Sequence, residues 1–209
     1  IPAGDNLKRY CCDDCGAIYY TNPNVVVGAL CKYEDKVLLC KRNIQPRLGL
    51  WTLPAGFFEN GETLQQGAIR ETKEETQADI NIIQPYTLFS LTHISQLHYF
   101  YIAELTKPKF GPTPESSEVA LFTEEEIPWD EIAFPTVYKT LKHFFEDSKT
   151  NTFEYKEEEI KLLDNSLYNK NPENSAVQER SKNSINNARV FLSKLSHDWL
   201  NSLSRIKCF

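Results

Sequence analysis

The sequence predicts an α/β sandwich with a mixed β-sheet. Three observations carry that expectation. Two apolar, β-branched runs, Val25 to Tyr33 and Val37 to Arg42, are separated only by Glu34-Asp35, which reads as a hairpin. A helix-compatible stretch, Thr63 to Gln77, has no Pro and only Gly67 as a glycine, and strand-like runs flank it on both sides. A second, amphipathic helix, Phe134 to Phe145, follows the last strands and opens at Pro135. Strands, a helix, more strands and a helix give layers of helix on a sheet.

Residues 1–22 are polar and read as irregular. Between residues 43 and 62 lie Pro46, Gly49, Pro54, Gly56 and Gly61, a loop with at most a short strand around Trp51 to Leu53. Thr63 is the expected N-cap of the first helix, with Gln66 three residues on to complete a capping box. Ile80 to Leu91 and Gln96 to Leu105 read as strands, Pro108 to Pro114 as a turn-rich loop, and Val119 to Phe122 as a short strand.

Composition changes after Asp147. Asn165 to Asn187 is rich in Asn and Ser, which suits a linker without a core. Beyond it Phe191, Leu192, Leu195, Trp199, Leu203 and Ile206 recur at helical spacing. That segment reads as an amphipathic helix that docks on the domain, or one that meets a membrane surface or a partner. The expected division is 1–22, 23–148 and 149–209.

A chain of 209 residues holds one sizeable domain with an appendage. The net charge of −6 argues against a nonspecific nucleic-acid binder. No run of about 18 apolar residues is present to span a membrane. The chain lacks Met and starts at Ile1, so it is expected to be a fragment or a processed product.

The six cysteines are Cys11, Cys12, Cys15, Cys31, Cys40 and Cys208. Cys31 and Cys40 lie in strand-like apolar runs, as small core residues do. Cys12-Asp13-Asp14-Cys15-Gly16 has the spacing of a zinc knuckle. A zinc ion needs four ligands and no second pair of this spacing follows, so the two thiols are either half a zinc site or unmetallated.

The chemistry concentrates in Arg70-Glu71-Thr72-Lys73-Glu74-Glu75. On a helix Glu71, Glu74 and Glu75 share one face, about 5–6 Å apart at Cβ. Three like charges repel there unless something neutralises them. Arg70 and Lys73 offset part of the charge. A hard divalent cation such as Mg²⁺ or Mn²⁺ offsets more, because carboxylate oxygens suit it. Taken alone, such a cluster is either a solvated face or a metal site.

The flanks decide between these. Gly56, then Glu62 after five residues, Arg70-Glu71 after seven more, and then Glu74-Glu75 match the Nudix box. A chance match of six such positions is on the order of one in 10⁵ at average residue usage. The chain therefore resembles a Nudix hydrolase, and the resemblance implies the Nudix α/β/α sandwich. Thr72 stands where an aliphatic residue usually packs, and Gln77 where Gly usually ends the helix. Lys41 to Pro46, Gly49 to Gly56, Gly111-Pro112 with Pro114-Glu115-Ser116, and Glu126 to Trp129 with Ala133-Phe134 are similar to the zinc-ribbon-containing bacterial and plant branch that hydrolyses FAD and ADP-ribose. In that branch a zinc ribbon precedes the domain. Cys12 and Cys15 would then be its second knuckle, and structural Zn²⁺ would bind once an upstream CxxC is restored. The similarity covers roughly residues 1–148.

The resemblance implies a set of roles. Glu71 and Glu75 are metal ligands, Glu74 is a third ligand or a base, and the Ala55 carbonyl is a further ligand for Mg²⁺ or Mn²⁺. Arg70 pairs with a box glutamate. Gly56 lets the loop backbone approach the metal and phosphate. Glu115 and Glu118 lie in a loop that supplies a carboxylate for the nucleophilic water in many relatives, with Glu118 the favoured one. Arg42 and Arg47 are expected on phosphate. Trp51, Phe57, Phe58 and Phe89 are candidates to stack a ring, or core residues, and His93 and His98 candidates for phosphate or ribose, or structural residues. The implied substrate is a nucleoside diphosphate linked to another group. FAD would give FMN and AMP; ADP-ribose would give AMP and ribose 5-phosphate. An NADH pyrophosphatase and a non-catalytic nucleotide sensor are the alternatives. The first is disfavoured because the Ser-Gln-Pro-Trp-Pro-Phe-Pro element that follows the box in that group is absent, Pro85 being the one proline in residues 79–99, and the second because every box carboxylate is present. A homodimer and a reducing compartment, cytoplasm or plastid, are further expectations.

Overall fold

The computed structural model describes residues 1–161. The Asn/Ser-rich stretch and the helical-period segment from Phe191 lie outside the described residues. Near the start, β1 (Tyr10–Cys11) and β2 (Ile18–Tyr19) form an antiparallel ribbon where irregular chain was expected. Two residues a side are too short for any hydrophobic period to register. The ribbon is closed by the cysteine-bearing turn, in which Gly16 N–H donates to the Cys12 carbonyl at 2.9 Å.

The main sheet is mixed, as expected. It comprises β3 (Asn24–Tyr33), β4 (Lys36–Arg42), β5 (Trp51–Thr52), β6 (Ala55–Phe57), β7 (Ile80–Leu91), β8 (Gln96–Leu105), β9 (Ser116–Phe122) and β10 (Lys156–Glu159). Six of these run in the order β10-β7-β8-β3-β4-β5, with β6 also on β3 and β9 also on β4. The β3–β8 and β10–β7 pairs are parallel; the others are antiparallel.

Strand β3 reads as a near-continuous apolar run because both its faces are covered. Val27, Ala29 and Cys31 join a cluster with Ala68 of the first helix, whereas Leu30 joins Val137, Leu141 and Phe144 of the second. Gly28 lies between them. A Cβ there would stand 2.5 Å from the Pro54 carbonyl oxygen, so the absence of a side chain lets the loop before β6 cross the strand.

Helix α1 (Leu64–Thr76) opens with the expected capping box. Gln66 N–H donates to Thr63 Oγ1 at 3.2 Å, and Thr63 N–H donates to Gln66 Oε1 at 2.8 Å. It ends at Gln77 in the left-handed region, φ 61°, the conformation that makes Gly usual at this position. Thr72 is fully buried, its hydroxyl donating to the Ala68 carbonyl at 2.8 Å; this satisfies the polar atom where an aliphatic side chain was expected.

Helix α2 (Pro135–Thr150) runs past Phe145, where its apolar stripe stops. The polar extension is anchored by tertiary contacts. Tyr86 Oη donates to Asp147 at 2.8 Å, and Lys156 pairs with the same carboxylate. The described fold continues past residue 148. Lys156 to Glu159 pair in parallel with Thr87 to Ser90, and Ile160 is buried behind them. A Lys-Glu-Glu-Glu run carries no strand signal of its own. It holds because Lys139 and His143 of α2 both bond Glu158, at 2.7 and 2.5 Å.

Candidate active site

A cavity of about 540 Å³ opens between the loop after β4, the β6–α1 junction, the start of β8 and the N-terminus of α2. Glu71, Glu74 and Glu75 all line it, with Arg70, Ala55 and Gly56. The helical spacing therefore places the three carboxylates on a concave surface and not on a convex solvated one.

Arg70 organises this end. It holds Glu62 bidentately, with Nε to Oε2 at 2.9 Å and Nη2 to Oε1 at 2.8 Å. Its Nη1 donates to Glu71 at 2.6 Å and to Glu74 at 3.0 Å, and its Nη2 also reaches the Phe57 carbonyl at 3.1 Å. The guanidinium is thereby kept fully charged. Its contact, with a backbone bond from Glu59, draws the Glu62 carboxyl down to about 2. Glu62 thus ties the loop to the helix and lies off the cavity lining, whereas Glu59, which contributes its backbone N–H to that tie, also lines the cavity.

The carboxylates differ by environment. Glu74 is 59% exposed at its side chain. Glu71 is half-buried, and burial raises its carboxyl above the ordinary range despite Arg70. Glu75 is only 6% exposed. Burial pushes it up to about 7, with Glu71 and Glu115 adding like-charge repulsion; the Ala55 N–H, 3.0 Å from Oε2, and Arg42 oppose the rise. Gly56 packs directly on Glu71, where a Cβ would lie 2.3 Å from the carboxyl carbon.

The donor set fits a hard divalent cation: three glutamates and a backbone carbonyl, all oxygen, one carboxylate buried with too little positive charge beside it. Among the described residues no three His, Cys, Asp or Glu side chains already converge on one ion position. Here Arg70 bonds Glu71 and Glu74 directly. The same holds for the knuckle: Cys12 is half-buried, Cys15 is exposed, and neither belongs to a group of three or more potential ligands among the described residues.

Several expected site residues fall elsewhere. Trp51 is 5% exposed and packs edge-on against Phe122 at 4.9 Å; its ring belongs to the core, off the cavity lining. Phe89 is likewise core. Arg47 and His93 lie outside the lining. Glu118 points away, paired with Lys41 at 3.8 Å, and it is Glu115 that lines the cavity beside Glu71 and Glu75. Strand alternation accounts for this: Glu118 pairs with Lys41 and shares its face, while the next residue, Arg42, lines the cavity from the other face. Arg42 does line the cavity, its Nε donating to the Pro46 carbonyl at 2.7 Å and its guanidinium over the Phe134 ring at 5.2 Å. Phe57 and His98 also line it. Gln96, Phe134 and Thr136 line it too and escaped the sequence reading. The two-residue alternation Gln96, His98, Phe100 on β8 was the one signal that placed Gln96 beside His98.

A family model described as NUDIX domain matches residues 22–147. The chain is 49% identical to a NUDIX hydrolase from Nitrosomonas europaea of known structure, with a TM-score of 0.74 over 77% of this chain and 91% of that one. It is 44% identical over 57 residues to the ADP-ribose pyrophosphatase of Methanocaldococcus jannaschii, covering 27% of this chain and 34% of that protein. It is 37% identical over 120 residues to the NAD-capped RNA hydrolase NudC of Vibrio atlanticus, covering 56% and 44%. The chain thus spans less than half the length of these two curated relatives.

Proposed function

The chain belongs to the NUDIX hydrolase family, and on that premise we propose that it hydrolyses the pyrophosphate bond of a nucleoside diphosphate linked to a second group, with Mg²⁺ or Mn²⁺ as cofactor. The observation that carries this reading is Glu75, a buried carboxylate facing Glu71 in a cavity of nucleotide size. ADP-ribose and FAD are the favoured substrates. ADP-ribose and water would give AMP and ribose 5-phosphate; FAD and water would give FMN and AMP. Similarity to an ADP-ribose pyrophosphatase supports the first, and the segments flanking the box support the branch that takes both.

Glu71, Glu75, Glu74 and the Ala55 carbonyl would hold the cation. When bound it neutralises charge developing on the phosphate and acidifies the attacking water. Glu115 takes the place expected for Glu118 as acceptor of the water's proton, since it shares the cavity with the ligands. Arg42, beside the same cavity, supplies positive charge for a phosphate oxygen. Arg70 sets the rotamers of Glu71 and Glu74 and touches no substrate. A structural zinc at Cys12 and Cys15 would need two ligands from outside the described residues.

A second reading is a dinucleotide of the NAD type, favoured by the 120-residue similarity to NudC. One experiment separates them: kcat/KM for ADP-ribose, FAD, NADH and a nucleoside triphosphate at a single Mg²⁺ concentration, with products identified by chromatography. ADP-ribose and FAD should lead. A tenfold or larger preference for NADH moves the assignment to the second reading, and no turnover of any of the four removes both.

A further inference from the structure

The cavity has a second end, chemically unlike the first. Side chains alternate along β8, so Gln96, His98 and Phe100 share the face that lines it. Across the sheet Phe57 of β6 stands opposite Val26 of β3, and Val26 stands opposite His98 of β8. All three line the cavity. At about 4.8 Å per strand, that row carries the cavity roughly 10 Å from β6, where Gly56 touches Glu71, to β8. Phe134 and Thr136, at the start of α2, line the same space.

The His98 ring is held at both nitrogens. Nε2 lies 3.0 Å from Gln96 Oε1, and Nδ1 lies 3.0 Å from Thr136 Oγ1. An amide oxygen only accepts, so Nε2 carries the hydrogen. Burial pushes the imidazole down to about 4, so at neutral pH Nδ1 is bare and accepts from the Thr136 hydroxyl. The consequence falls on Gln96. With its oxygen committed to His98, its amide NH₂ is turned away from the ring and makes no hydrogen bond among the described residues.

We propose that this end of the cavity binds the heterocyclic ring of the nucleotide, and that Gln96 is its specificity-determining contact, donating an amide N–H to a ring nitrogen or carbonyl oxygen. The inference rests on the function proposed above, because it takes the carboxylate end as the place of the pyrophosphate. One ribose separates phosphate from base, a span of the same order as the row from β6 to β8. Val26, Phe57 and Phe134 offer apolar surface, which suits a flat ring and not a polyhydroxylated sugar. His98 is a positioning residue: it fixes which way the Gln96 amide faces.

The test compares wild type, Gln96→Leu, Gln96→Glu and His98→Leu on ADP-ribose and on a pyrophosphate joining two riboses, which has no base. Each variant should raise KM for ADP-ribose about tenfold or more with kcat within about twofold, as loss of a ground-state hydrogen bond does. Turnover of the base-free compound should not change. Gln96→Glu, which replaces a donor by an acceptor, should be the most damaging. Equal losses on both compounds would mean a merely structural role, and an undamaged Gln96→Glu would mean that the ring offers a donor; either result overturns the proposal. Calorimetry adds an arm that needs no turnover. Wild type should bind AMP at least tenfold more tightly than ribose 5-phosphate, and Gln96→Leu should abolish the difference. If hydrolysis is absent but this preference is present and lost in the variant, the pocket stands and the hydrolytic reading falls. Equal binding of AMP and ribose 5-phosphate by wild type removes the pocket.

Discussion

Gly56 and Glu71 are in contact: a Cβ on Gly56 would lie 2.3–2.4 Å from the carboxyl carbon and both carboxyl oxygens of Glu71. The glycine is therefore a packing requirement of the carboxylate, and adding one methyl group must displace it. Gly56→Ala should fold, since the site is at the cavity surface, yet lower kcat/KM by about 10²-fold through misplacement of Glu71. Turnover together with the melting temperature checks this; wild-type activity in the alanine variant would remove Glu71 from the site.

Glu71→Gln and Glu75→Gln should each reduce kcat by roughly 10²–10⁴-fold, the range for losing a principal electrostatic element. Full activity in both variants is the result incompatible with these residues as ligands.

The raised carboxyl of Glu75 also makes a statement about stability. In the folded chain it keeps its proton up to about pH 7, whereas unfolded it loses it near 4.5. Between those values the folded state binds more protons, so Glu75 makes stability fall as pH rises through the window. In chelator, the melting temperature of wild type should fall from pH 5 to pH 8 relative to Glu75→Gln, and the variant should melt higher at pH 8. Saturating Mn²⁺ should restore the wild type, because binding to the folded state stabilises it. Parallel melting curves for the two proteins across that range would contradict the burial argument.

Glu115 and Glu118 are separated by a matched pair of substitutions. Glu115→Gln should cost about 10²-fold or more in kcat, the lower reach of general-base loss, while Glu118→Gln, which breaks only an exposed pair with Lys41, should stay within about twofold. The reverse order would restore the assignment drawn from the sequence.

The strand at Lys156–Glu159 gives a prediction about the extent of the domain. Ile160 is 1% exposed, so Ile160→Ala should destabilise by about 2–4 kcal/mol, as large-to-small core changes do. Its kcat should not move. Denaturant unfolding measures this, and a change below about 0.5 kcal/mol would mean that the segment beyond α2 adds nothing to the core.

The features legible from residue order are those that depend on short-range chemistry. The capping box at Thr63 and Gln66 closes within one helical turn, so the start of α1 was legible residue by residue. The shared face of Glu71, Glu74 and Glu75 follows from 3.6 residues per turn, whatever the helix packs against. The long strands from Ile80 and Gln96 carried enough β-branched and aromatic residues to be found with their ends. Other features depend on partners distant in the chain. The pairing of Glu118 with Lys41 sets which acidic residue faces away from the cavity, and nothing between Glu115 and Glu118 announces it. Trp51 belongs to the core because Phe122 arrives beside it from more than seventy residues away. The charged run at Lys156 becomes a strand because β7 offers an open edge and α2 offers Lys139 and His143. Glu75 is an ordinary glutamate in the sequence. Burial in the assembled fold lifts its carboxyl to about 7, because desolvation is a property of the surroundings and not of the residue.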